Sequence, residues 1–364
     1  MNKVSVTLDG HRGASYEIHI GHAIMDRIAV ILSRSEWAHR YFILSDTNVG
    51  PLYGDTFGDT MKTLGLRTEM MTFSAGEGAK SVENCVSITG QLADRGADRT
   101  SALIALGGGV VGDVTGFIAS IFMRGIPHIQ IPTTLLAMVD SSIGGKTGID
   151  THAAKNLLGT FWQPRAVFVD VGFLKTLPER EFANGLAEII KYGIIEDPQI
   201  LGVIAGEAKA LNDRDPVLLE RLIEKSCTIK RGLVEIDETD KGLRRILNFG
   251  HTLGHALEAE SRYALAHGEA IAIGMVAAAV LSERMNYLAS SERETIVSVI
   301  RNAGLPERIP SYVDTEGIMA RLKHDKKKEG ERIHFVLLKR LGAPFVNAGV
   351  PERIIRETLE SMTG

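Results

Sequence analysis

At 364 residues the chain is long enough for two domains with cores of ordinary size. Its 44% hydrophobic and 24% charged residues exclude a disordered chain, and a net charge of −4 excludes any global attraction to nucleic acid or an anionic membrane. An anionic substrate would have to be met by cations placed locally. The two cysteines, Cys85 and Cys227, have no CxxC partners, which speaks against a disulfide scaffold and for a reducing compartment. The first residues carry no signal-peptide core, and the longest apolar run, 270–281, is too short to span a bilayer. The expectation is a soluble cytoplasmic protein.

Up to about Leu177 short β-rich runs alternate with helical spacing. Residues 4–8 and 16–20 read as a hairpin around Gly10 and Gly13, 24–32 as a helix, and 41–44 as a buried strand ending at Ser45 and Asp46. Strands are expected at 67–73 and 102–106, with a helix at 82–95 between them. This alternation predicts an α/β layer fold with a parallel-rich sheet. Directly after 102–106 come Gly107, Gly108, Gly109 and Gly112, followed by Asp113 and a helical stretch. Strand, GxGxxG and helix in that order suit a dinucleotide, because glycines admit a pyrophosphate to the backbone amides of a helix N-terminus. A tight turn explains the glycines too, and the acidic residue expected about 20 positions later is missing. Asp46 and Asp140 are the nearest carboxylates of suitable kind. The string Asp140-Ser141-Ser142-Ile143-Gly144-Gly145-Lys146-Thr147 fails the Walker A spacing, yet it still offers backbone donors and one lysine. Lys155 and Asn156 add a cation and an amide, which suits a phosphate; a polar loop between elements is the alternative.

After Pro178 helical periodicity runs to the end, so the boundary is placed at 177/178 and the second domain, 178–364, is expected to be all-α. Glu188 and Lys191 lie one turn apart on one helix face, among apolar neighbours that argue for close packing. His251 and His255, at i and i+4, lie on one face of another helix, and His267 opens the 270–281 run. That spacing lets two imidazoles meet one cation, although core histidines are common at it; a third ligand would be needed, and Glu188 is a candidate. Lys230 and Arg244 flank an acidic segment, and the 323–328 charge run reads as a solvated loop. The last segment, 351–359, reads as an ordinary helix.

Several strings stand in one order: 107–113, Phe122-Met123-Arg124-Gly125, 132–147, 178–193 and 247–258. Together they resemble the 3-dehydroquinate synthases, a family of the sugar phosphate cyclases, over roughly 46–327. The resemblance implies an NAD-binding α/β domain, then a helical domain, with the active site in the cleft between them, in a homodimer. It implies a Zn²⁺ (or Co²⁺) held by Glu188, His251 and His267. That replaces the pairing of His251 with His255, which is instead turned to the substrate phosphate. For NAD it points to Asp46, Asn48, Glu77, Lys80, Gly109, Asp113, Thr133, Thr134 and Thr176, so that Asp46 takes the ribose role. For the substrate it points to Arg124, Asp140, Lys146, Asn156, Lys191, Lys230, Arg244, Asn248, His255 and Lys327. Two departures stand out: Ala154 where the family has glycine, and Asp240 where it has glutamate.

The implied reaction converts 3-deoxy-D-arabino-heptulosonate 7-phosphate into 3-dehydroquinate and phosphate. A ring alcohol is transiently oxidised, phosphate leaves by β-elimination, the ketone is reduced again, and ring opening precedes an intramolecular aldol closure. NAD is recycled. A substrate with a carboxylate and a phosphate needs the Lys and Arg set named above. Two readings compete: a sister cyclase acting on sedoheptulose 7-phosphate or glucose 6-phosphate, and a metal-dependent polyol dehydrogenase that would release NADH.

Overall fold

Short apolar runs, buried throughout at 101–107, 128–132 and 166–170, build the centre of the sheet of the first unit. The computed structural model describes residues 1–8, 15–152, 154–240, 242–328 and 333–364, with side chains throughout except at 324–328. It divides into two units, Met1–Leu177 with Arg214–Thr239, and Pro178–Asp213 with Asp240–Gly364.

The first unit runs β1 (Asn2–Val6), β2 (Tyr16–Gly21), α1 (Met25–Arg34), β3 (Arg40–Asp46), α2 (Asp55–Thr63), β4 (Thr68–Phe73), α3 (Val82–Asp94) and β5 (Ser101–Gly107). It continues with α4 (Gly109–Ile121), β6 (His128–Pro132), β7 (Lys146–Ile149), β8 (Leu158–Phe161) and β9 (Ala166–Asp170). Among the described residues its main sheet has seven strands in the order β1-β2-β9-β6-β5-β3-β4, parallel except for the β1/β2 hairpin. The hairpin expected at the start is therefore present, while its turn at Gly10 and Gly13 lies outside the described residues. All seven residues of β5 are buried, as a parallel strand covered on both faces requires. The chain steps outward from β3 to β4 and then returns to β5 on the other side of β3. The carboxyl ends of β3 and β5, at Asp46 and Gly107, thus flank the point where strand order reverses, where open α/β sheets take their ligands. Gly144 and Gly145, both at positive φ (93° and 67°), turn the chain so that Lys146 opens β7.

The second unit begins with α5 (Glu179–Ile195), α6 (Gln199–Gly206) and α7 (Ala208–Asn212). The chain then re-enters the first unit as α8 (Pro216–Ile236), capped by Asp215, whose carboxylate accepts the Leu218 amide. The single boundary expected at 177/178 is therefore incomplete. The apolar stripe of α8, with Leu218, Leu222, Ile223 and Val234 buried, packs on β1 and β2, and periodicity alone carries no sign of which neighbour a helix covers.

The second unit resumes with α9 (His251–Glu260), α10 (His267–Arg284), α11 (Ser290–Asn302), α12 (Thr315–Lys328), β10 (Phe335–Leu338), β11 (Pro344–Asn347) and α13 (Glu352–Met362). It is helical but not all-α, since β10 and β11 pair as an antiparallel hairpin, β10 fully buried. The 323–328 charge run is the end of α12 rather than a loop, for it contains no glycine or proline to stop the helix. The apolar 270–281 run forms the buried body of α10, which packs against α9 and α5. Among the described residues no helix is long and apolar enough to cross a membrane.

Candidate active site

In the second unit three side chains converge. Glu188 is fully buried on α5, while His251 and His267 are the first residues of α9 and α10. The Nε2 atoms of His251 and His267 each lie 3.5 Å from Glu188 Oε1. Candidate ligand atoms of the three residues all fall within 4.8 Å of one another. Close helix packing makes this possible: a Cβ at Gly274 would overlap the Gly250 carbonyl oxygen, and Gly250 itself turns into α9 at φ 81°. On the other side, the Gly268 amide donates to Asn184 Oδ1 on α5, and Arg180 donates to both carboxylate oxygens of Glu269 on α10.

The second nitrogens of the two imidazoles fix their roles. His251 Nδ1 lies 3.1 Å from the Phe249 carbonyl oxygen, which can only accept, so Nδ1 carries the hydrogen. His267 Nδ1 lies 3.3 Å from Glu258 Oε2. With the outer nitrogens so engaged, both Nε2 atoms face Glu188 and would be the ones to bind a cation, His267 giving up its Nε2 proton when one binds. Burial, and next the Lys191 ammonium, push His251 well below the usual imidazole range. For His267 burial acts downward too, but its bonds to Glu188 and Glu258 outweigh that and hold it up at about 10. Lys191, itself buried, pairs with Glu188 Oε2 and sits over the Tyr192 ring. One carboxylate and two imidazoles, with their outer nitrogens engaged, make a donor set that suits Zn²⁺ or Co²⁺ and leaves a coordination position for substrate.

His255, one turn along α9, is exposed, its ring 5.3 Å from that of His251 and 6.1 Å from that of His267. The i, i+4 histidine pair is therefore not the pair that shares Glu188. Arg244 is buried and Asn248 exposed, both in the turn Leu243–Asn248. The Lys327 side chain lies outside the described residues. Glu258 was not singled out in the sequence, although His251, His255 and Glu258 stand at i, i+4 and i+7, one stripe of α9.

In the first unit a second polar set gathers. Lys80 Nζ donates to Asp113 Oδ2 at 2.8 Å and to Asn156 Oδ1 at 2.6 Å, with Glu77 3.7 Å away. Burial pushes the Asp113 carboxyl up to about 6 against the pull of Lys80. Lys80 is held above its ordinary value by Asp113 and Glu77, although burial, the largest influence, acts the other way. Lys155 lies 3.5 Å from Glu77. Ala154 does not prevent the loop from closing: the Thr151 amide donates to the Ala154 carbonyl, and Asn156, at φ 51°, still reaches Lys80. Asp240 also takes a left-handed conformation, at φ 57°.

At the carboxyl end of β3, Asp46 Oδ1 accepts the Asn48 and Val49 amides at 2.8 and 2.9 Å. The glycine run leaves little room for side chains: a Cβ at Gly107 would lie 2.5 Å from Val111, at Gly108 3.0 Å from Thr134, and at Gly109 3.1 Å from Ser141. Thr133, just past β6, keeps its buried hydroxyl without a hydrogen-bond partner among the described residues. A glycine cradle at a helix N-terminus, a carboxylate across the strand-order reversal and an unsatisfied hydroxyl fit the pyrophosphate and ribose of a dinucleotide. Thr176, exposed, bonds Tyr53 through its hydroxyl. Lys230, reached only because α8 returns to this unit, donates to Asp140 Oδ1 at 2.7 Å and to its carbonyl at 2.6 Å. Lys146 is exposed at the start of β7, and Arg124 is exposed at φ 70°.

Residues 70–184 match the family model described as 3-dehydroquinate synthase N-terminal, and residues 185–328 the one described as 3-dehydroquinate synthase C-terminal. A 3-dehydroquinate synthase of Acidithiobacillus ferrooxidans is 44% identical over 353 residues, 95% of each chain. The chain belongs to the 3-dehydroquinate synthase family. Two solved structures of related cyclases share its fold. The 2-epi-5-epi-valiolone synthase of Streptomyces hygroscopicus subsp. jinggangensis 5008, with NAD⁺ and Zn²⁺ bound, superposes with a TM-score of 0.89 at 27% identity, covering 98% of this chain and 99% of its own. A 2-deoxy-scyllo-inosose synthase complexed with carbaglucose-6-phosphate, NAD⁺ and Co²⁺ gives 0.88 at 26%, covering 99% and 100%.

Proposed function

We infer that the chain is a 3-dehydroquinate synthase, an NAD- and metal-dependent lyase that converts 3-deoxy-D-arabino-heptulosonate 7-phosphate into 3-dehydroquinate and phosphate. The observation that carries this reading is the convergence of Glu188, His251 and His267 in a chain of this family. When bound, NAD would accept and return a hydride while a divalent cation polarised the alcohol that is oxidised. Glu188, His251 and His267 would hold the cation, and Lys191 offsets the buried charge of Glu188. Asp46, Asn48, Gly107, Gly108, Gly109, Thr133, Thr134 and Thr176 would hold the dinucleotide, with Glu77, Lys80, Asp113 and Lys155 arranged beside the Asn156 loop. Arg124, Asp140, Lys146, Asn156, Lys191, Lys230, Arg244, Asn248, His255 and Lys327 are assigned to the substrate, where fixed cations would orient its anionic groups and neutralise the departing phosphate. A homodimer in the cytoplasm completes the proposal; sizing in solution tests the dimer.

The deciding assay is phosphate release from the heptulosonate 7-phosphate with catalytic NAD⁺ and zinc, with sedoheptulose 7-phosphate in parallel. Release with the heptulosonate alone, no accumulating NADH, and loss on chelation are expected. Release only with sedoheptulose 7-phosphate would move the chain to a sister cyclase, and NADH formed in step with turnover would make it a dehydrogenase.

A further inference from the structure

We propose that Glu258 is the positioning residue of the metal centre, the group that aims the Nε2 lone pair of His267 at the cation. The proposal rests on the assignment of Glu188, His251 and His267 as ligands. Glu258 lies on α9 and His267 opens α10, so the contact between them crosses a helix pair rather than a single turn. The Glu258 side chain is buried, and its Oε2 stands 3.3 Å from His267 Nδ1. An ionised carboxylate only accepts, so Glu258 keeps a hydrogen on Nδ1, and Nε2, 3.5 Å from Glu188 Oε1, is the nitrogen that would give its lone pair to a cation.

The two histidines are held by different means. His251 hands its hydrogen to a backbone carbonyl, Phe249, which no side-chain substitution removes. His267 hands its own to one replaceable carboxylate, whose negative charge also raises the donor strength of the opposite nitrogen. The backbone fixes where that carboxylate stands. The Glu258 carbonyl accepts the Tyr263 amide at 2.8 Å and the Ser261 hydroxyl at 2.9 Å, which closes the end of α9. Gly254 lets α9 approach α10 closely, since a Cβ there would lie 3.2 Å from the Ala270 carbonyl oxygen. Candidate ligand atoms of His255, Glu258 and His267 also fall within 4.8 Å of one another, so direct ligation by Glu258 is the rival that a test must separate.

The test uses the full chain stripped of metal, with zinc affinity measured by competition against a chromophoric chelator and with the visible spectrum of the Co²⁺ form. Glu258→Ala should weaken zinc binding by about 10–100-fold, and Glu258→Gln by a smaller factor. The glutamine keeps the volume and can accept the same hydrogen, but it lacks the charge; it also keeps the test open should the alanine variant fail to fold. The cobalt spectrum of the Gln variant should shift at an unchanged one cation per chain. His267→Ala should lose the metal and His255→Ala should keep it. If both Glu258 variants bind zinc within about twofold of the parent while His267→Ala has lost it, the positioning role is wrong and the ligand assignment stands. If Glu258→Gln loses zinc as completely as His267→Ala, Glu258 is a ligand and the proposal falls. If His267→Ala binds zinc like the parent, the ligand assignment itself has failed.

Discussion

His251 and His267 each stand at the first position of a helix, where the positive end of the macrodipole disfavours imidazolium; at His267 the Glu188 and Glu258 carboxylates outweigh that, and at His251 they do not. His128, in the first unit, is neutral for another reason. It is buried in β6 with Nδ1 lacking a hydrogen-bond partner among the described residues, and burial pushes it down to about 3. The unfolded imidazole takes up its proton near 6.5, so below that pH the unfolded chain binds more protons than the folded one. The stability present above 6.5 is therefore lost as the pH falls toward 3, by roughly 2 kcal/mol at about pH 5. His128→Leu should narrow the difference between urea midpoints at pH 7 and pH 5 accordingly; an unchanged difference would refute this. Nothing in the sequence marked His128, because its burial follows from strand order, not from spacing. Glu188 was legible as a buried acid from its apolar neighbours, whereas its distance to two histidines far along the chain was not. The spacing of His251 and His255 pointed to His255, whereas His267 is the histidine that meets Glu188 Oε1 beside His251, since helical periodicity reports a shared face and is silent about what that face meets.

At the level of elements, the convergence of Glu188, His251 and His267, the proposed metal ligands, depends on how closely α9, α10 and α5 approach. A Cβ at Gly274 would collide with the Gly250 backbone, which cannot swing aside as a flexible side chain could. Gly274→Ala should lower stability by roughly 1–3 kcal/mol or more despite the better helix propensity of alanine. Gly202, exposed within α6 with nothing near its Cβ position, supplies the contrast: Gly202→Ala should raise stability by about 0.5–1 kcal/mol. Thermal melts of the two variants should move in opposite directions, and a shared direction would undo the packing argument. Several helices and the strands β2 to β5 were readable from periodicity, including α10 in the 270–281 run, whereas β6 and β9 were not named. The β10/β11 hairpin was not readable, because among the described residues its short strands pair only with each other and β10 packs on α10.

Across the whole molecule, the passage from β-rich to helical sequence at 177/178 was legible, but the return of α8 to the first unit was not. A chain ending at Leu177 would leave the faces of β1 and β2 that α8 covers open to water. It should bind a hydrophobic dye and melt without cooperativity. Joining 214–239 to Leu177 through a flexible linker should restore a cooperative melt; a cooperative melt of 1–177 alone would contradict the division. The same detour governs how the protein comes into being. Ribosomes add roughly 5–20 residues per second, so the sheet waits for its covering helix while residues 178–213 are made. During that interval α5 emerges with Glu188, Lys191 and its apolar surface, long before α9 and α10 exist to bury them. The nascent polypeptide thus exposes an unfinished sheet and an unaccompanied greasy helix at once, until residues 214–239 follow.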